Sequence, residues 1–181
     1  MTTMTATTPG LTGALRRLYV VRFGFAVVWA GLLATTAREL GVLAAILLVL
    51  YPLFDLAAAF VDISSSRSRE LIVNIAFSAL AVIGLGIAVA SGIPAVLRVW
   101  VAWAVLAGLV QLFVGLRRRA LGGQIPMILS GGISVLAGSG FIRMASQDHP
   151  SLINLAGYAL LGGIFFLISA IRLGRSAAGR P

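Results

Sequence analysis

The stretch LLVLYPLFDLAAAFVDISSSRSRE, Leu47 to Glu70, decides how the chain is read. A long apolar run carries one carboxylate, Asp55, at its middle and a second, Asp62, at its end, and gives way after Ile63 to a polar segment holding Arg67 and Arg69. A helix needs roughly 20 mainly apolar residues to cross a hydrocarbon core of about 30 Å. The stretch therefore predicts a membrane-crossing helix that leaves the bilayer near Ile63, with Asp55 about 8 residues, or about 12 Å, inside it at 1.5 Å per residue. An ionised carboxylate at that depth costs several kcal/mol unless it is paired or protonated, and such groups face the interior of a helix bundle.

Working outward, the chain offers six such spans, at about Tyr19 to Ala37, Leu40 to Ile63, Leu71 to Ala90, Ala95 to Leu116, Ile125 to Ile142 and Leu152 to Ile171. The predicted fold is an all-α integral membrane protein. Composition agrees, with 60% of the 181 residues hydrophobic and 10% charged, against about 25% charged in soluble domains. Connections are short, so function is expected within or beside the bilayer. Threonine-rich residues 1–14 are expected to form a disordered cytoplasmic tail, residues 15–175 one transmembrane domain, and residues 176–181 a second tail. A cleavable signal peptide is the competing reading of the N-terminus. Against it, Arg22 interrupts the would-be hydrophobic region, and the run exceeds the roughly 7–15 residues of such a region.

All fourteen basic side chains are arginine, and the net charge is +9. They lie between apolar spans and form no stripe with interleaved aromatics, which argues against nucleic acid as a partner. Arg16, Arg17 and Arg22 open the first span; Arg67 and Arg69 follow the second, Arg117, Arg118 and Arg119 the fourth, and Arg172, Arg175 and Arg180 the sixth. The alternate connections hold only Arg38, Arg98 and Arg143. Cytoplasmic loops collect positive charge, so both termini are expected in the cytoplasm of a cell-membrane protein. The basic rim would also attract anionic lipid headgroups, at about 1 kcal/mol per residue. Trp100 and Trp103, near the outer end of the fourth span, are expected in an interfacial belt.

Three segments share a pattern at a spacing near 55 residues: YPLFDLAAAFVD from Tyr51, LAGLVQLFVGLRRR from Leu106 and LLGGIFFLISAIR from Leu160. Pro52, Gly108 and Gly163 correspond, as do Asp55, Gln111 and Phe166. The odd spans match more loosely, Gly84 with Gly138 and Gly86 with Gly140. The pattern predicts three helical hairpins, about 19–63, 71–116 and 125–171. Each has an even number of spans, so they would be parallel repeats related by an axis along the membrane normal.

The segment VWVAWAVLAGLVQLFVGLRRRALGGQIPMILSGGISVLAGSGFI, from Val99 to Ile142, resembles the membrane proteins built from the short repeat called DUF308, whose named member is the acid-resistance membrane protein HdeD. The resemblance covers nearly the whole chain, and the first hairpin departs from it, with YPLFD where a glycine-rich segment is expected. It implies six spans and a role in envelope or acid stress, with no catalytic residues to carry over.

Asp55 has three open roles: a buried clamp with Arg22 of the adjacent antiparallel span, a protonation-linked group in transport or sensing, or a neutral carboxyl hydrogen-bonded to backbone or Tyr51. Asp62 and Arg17 are expected to form a second, rim-level pair. Asn74 and Gln111 sit at similar depth and are expected to bond between helices or to complete a polar patch with Asp55. Small residues at four-residue intervals, Ala26, Ala30 and Ala34, then Ser130, Ser134 and Gly138, with Gly108 on the fourth span, are expected to let helices approach closely. They serve packing within the chain, a homo-oligomer interface or a pore lining, and a second copy or another membrane protein is the expected partner. His149, the lone histidine, lies in an outer loop where a solvated, idle role is expected. No cysteine is present, and no convergent nucleophile, base and electrophile can be assembled. The reading is a non-enzymatic protein without cofactor or metal. A small proton-linked transporter or channel using Asp55, and an accessory subunit of another membrane protein, are the alternatives.

Overall fold

The computed structural model describes residues 9–36, 38–66, 69–146 and 151–178. These residues form six α-helices and no strand: α1 (Pro9–Thr36), α2 (Val42–Ser66), α3 (Arg69–Ala88), α4 (Ile93–Arg117), α5 (Ile125–Ala145) and α6 (Ile153–Ala178). Single 3₁₀ turns at Val89–Ser91 and Arg119–Leu121 follow α3 and α4. Among the described residues, α1, α2, α3, α4 and α6 are long and apolar enough to cross a membrane. In α5, of 21 residues, the apolar stretch runs from Ile125 to Gly138.

The helices close on themselves in chain order, each packing on its neighbours and α1 on α6. The tightest packings are α4 on α5 and α1 on α6, followed by α2 on α3. Glycine explains the first. A Cβ on Gly131 would lie 2.6 Å from the Gly108 carbonyl oxygen and one on Gly108 would lie 2.6 Å from the Ser134 Cβ, so the two backbones nearly touch. On the α1–α6 face, a Cβ on Gly163 would come within 2.9 Å of Ala26. Without a hydrophobic drive between helices in lipid, such close approach is what holds them. Gly122 and Gly123, with φ of +79° and +65°, turn the chain into α5, and Gly123 presses on the backbone of Leu173 in α6.

Apolar side chains point outward: Val28, Leu80, Ile83, Ile87 and Leu136 are all more than 60% exposed. Asp55, Asp62, Asn74, Ser78, Gln124, Ser130, Ser134 and Ser169 are buried. A shell that is apolar outside, around buried polar groups, suits a solvent of lipid. This is the make-up of a multi-pass membrane protein.

Several expectations are corrected. α1 begins at Pro9, so part of the expected tail is helical, and Leu11 packs on the cluster of Leu15, Tyr19 and Leu173. α6 likewise runs on to Ala178; residues 1–8, Asp148, His149 and residues 179–181 lie outside the described residues. Trp100 and Trp103 are not interfacial. They are buried to within 1% and 5% exposure, because α4 turns that face to the bundle axis. Ala34 is exposed, off the packed face that holds Ala26 and Ala30.

Candidate functional site

Asp55 lies three residues after Pro52, whose ring lacks the N–H that would bond Leu48 and so loosens α2 locally. The carboxylate faces inward and is fully engaged. Arg22 of α1 donates from Nη1 to Oδ1 at 2.8 Å, and Oδ2 accepts from Asn74 Nδ2 at 2.7 Å and Ser78 Oγ at 2.9 Å, both on α3. Ser78 Oγ in turn accepts from Trp103 Nε1 of α4 at 3.0 Å. The result is one string of hydrogen bonds across four helices, and it holds the charge in place of bulk water. The Arg22 guanidinium also lies 5.0 Å from the Phe166 ring centre, close enough for a cation–π contribution from α6.

A second charged pair lies seven residues further along α2. Asp62 pairs with Arg118 and not with Arg17, through two parallel contacts of 2.7 and 2.9 Å, the bidentate fork that guanidinium and carboxylate favour. Arg17 is on an exposed face of α1, whereas Arg118 caps α4 and bends back over the bundle. Burial works against the charge on Arg118, but its bonds to Asp62 and Tyr19 hold its pKa above the usual arginine value. Tyr19 then donates to Gln124 Oε1 at 3.3 Å, linking α2, α4, α1 and the start of α5.

Two cavities of about 60 Å³ each occupy the axis. Arg22, Asp55, Ala107, Gln111 and Phe166 line both and so form the partition between them. The cavity nearer Arg118 is also lined by Asp62, Asn74, Tyr19 and Gln124, the other by Ser130, Ser134 and Tyr158. Beyond the second lies an aromatic plug. Trp29, Tyr51, Trp100 and Trp103 meet with ring centres 4.6 to 5.8 Å apart, and Phe25 stacks on Phe54 at 3.8 Å. Trp29 anchors it by donating to the Leu47 carbonyl at 2.6 Å.

Of the residues singled out in the sequence, Arg22, Asp55 and Asn74 are thus in direct contact, and Tyr51 belongs to the plug. Gln111 shares the cavities but bonds the Met127 carbonyl, not Asp55. Ser134 is packed under Gly108 and accepts from Tyr158 at 2.8 Å; Ser130 is buried beside it, and Gly138 meets Val105. Ser78, Trp103, Arg118, Tyr19 and Gln124 were not singled out as site residues. Among the described residues there is no group of His, Cys, Asp and Glu that could hold a metal. Compared with models of protein families, with curated proteins and with solved structures, the chain matches none.

Proposed function

We propose that this is a non-enzymatic six-span protein of the cytoplasmic membrane, of the DUF308/HdeD-like kind, which serves the envelope under acid stress as a closed helical ring. The observation that carries the non-enzymatic reading is the state of the two buried carboxylates. Each is engaged by an arginine, so neither stands ready as a general base or nucleophile. Three parallel hairpins are supported by two features. Asp55, Gln111 and Phe166, which correspond at the 55-residue spacing, all line both axial cavities. Around the ring, the packings between hairpins are tight and those within hairpins looser, the alternation a threefold repeat would give.

Both termini in the cytoplasm follows from the arginine distribution, which also marks the inner rim as a surface for anionic lipid. On this reading, cysteine placed at Ala120 is protected from an impermeant maleimide in intact cells while cysteine at Ser146 is labelled. The reverse pattern would invert the topology.

Purified protein in liposomes is expected to hold an imposed pH gradient as long as empty liposomes do. A leak that Asp55→Asn abolishes would overturn this reading in favour of a second one, a small proton-linked transporter or channel. The observation favouring the second is that both cavities abut the Asp55 carboxylate.

A further inference from the structure

We infer that the two axial cavities are a hydrated vestibule, entered from the membrane side on which Ala120 lies, that admits water and small polar solutes with no preference for either sign of charge through a mouth closed by Asp62, Arg118, Tyr19 and Gln124. Its size comes first. A buried water needs about 10–15 Å³ of such space, so each 60 Å³ cavity holds several waters, or a solute of a few heavy atoms.

Its lining decides what enters. Two arginines, Arg22 and Arg118, face two aspartates, Asp55 and Asp62, so the wall offers a bare ion of either sign no net attraction. Amides and hydroxyls from Asn74, Gln111, Gln124 and Ser130 supply donors and acceptors together. Arg22 Nε is buried with no hydrogen-bond partner among the described residues; a water or solute in the vestibule would complete it.

Its asymmetry decides the side of access. At one end the aromatic plug is a packed seal of four large rings with tight centre-to-centre spacings. At the other, the closure is only a string of side chains, each on a separate element. Side chains rearrange far faster than packed helices, so exchange occurs at the Arg118 end.

The absence of native cysteine gives a clean background for the test. Ala107 lines both cavities, and Ala107→Cys is to be titrated in vesicles with the cationic and anionic impermeant methanethiosulfonates, from each face separately, using Ala120→Cys to identify the faces. Reaction from the Ala120 face alone, at similar rates for the two reagents, is expected. Arg118→Gln added to it should raise the rate with the cationic reagent by about tenfold or more, because one charge-assisted pair is lost and the mouth loses a positive charge. Asp62→Asn should instead favour the anionic reagent. Should either fail to fold, Tyr19→Phe cuts the same string without touching a charge and should speed both reagents alike. Val110→Cys, lining the cavity near Arg118, replaces Ala107→Cys if that variant misfolds. A cysteine that stays unreactive in every background, or that reacts from the Ser146 face, overturns the vestibule whichever face proves cytoplasmic.

Discussion

Asp55→Ala is expected to destabilise the purified protein by about 3–5 kcal/mol, the usual cost of leaving a buried charge without its partner. The size follows from where Arg22 would then find itself. Its side chain is 15% exposed, enclosed by the Phe166 ring and the axial cavities, with no second carboxylate in contact among the described residues. Asn74 and Ser78 lose their acceptor at the same time. The double variant Arg22→Ala/Asp55→Ala removes both charges and should cost less than the two single changes added together, with a coupling of about 0.5–3 kcal/mol. Thermal melts of the four proteins in one detergent complete the cycle. Single variants that melt with the parent would show that the pair does not hold the ring.

Gly131→Ala is expected to be strongly damaging for so small a change. The added methyl would stand 2.6 Å from the Gly108 carbonyl and 2.7 Å from the Leu112 amide nitrogen. Both are backbone atoms of α4, so no side chain can swing aside and the helices must part. Overpacking of this kind costs about 1–3 kcal/mol or more, and here it loosens the tightest interface of the ring. Gly132→Ala is the control: a Cβ there meets nothing within 4 Å. It should be neutral or gain up to about 1 kcal/mol of helix propensity. Equal melting temperatures for the two variants would refute the close approach.

Hydropathy made the helices legible, since one run of apolar residues per crossing is all a bilayer demands. The Arg22 contact with Asp55 is one of three roles the sequence leaves open: two opposite charges enter neighbouring antiparallel helices from one side, Arg22 a few residues in and Asp55 about 8, within reach of a long side chain. Helix rotation could not be read. A helix apolar on every face carries little amphipathic signal, so nothing told whether Trp100 and Trp103 met lipid headgroups or each other. The same blindness sent Asp62 to Arg17 instead of Arg118, for three consecutive arginines give no sign of which one bends inward. Ser78 is a small residue in an apolar run and reads as packing until its neighbours across two helices are known. Gly131 hid because it falls between Ser130 and Ser134, one residue away from the four-residue rhythm that was followed.

The packing of α1 against α6 sets the order in which the molecule can be made. α1 is made before the other five helices, yet its tightest neighbour begins at Ile153, so its Ala26 face stays in lipid until α6 has been translated. Arg22 enters the membrane before Asp55 exists to receive it, and so near the end of its span its long side chain must meanwhile reach back to the interface, at a cost below the roughly 2.5–3.5 kcal/mol of a charge at the bilayer centre. A nascent chain halted before Ile153 is therefore an open arc with an unsealed edge at α1, the form that a membrane quality-control protease would meet. The ring reaches its protected state only when α6 slides in beside α1.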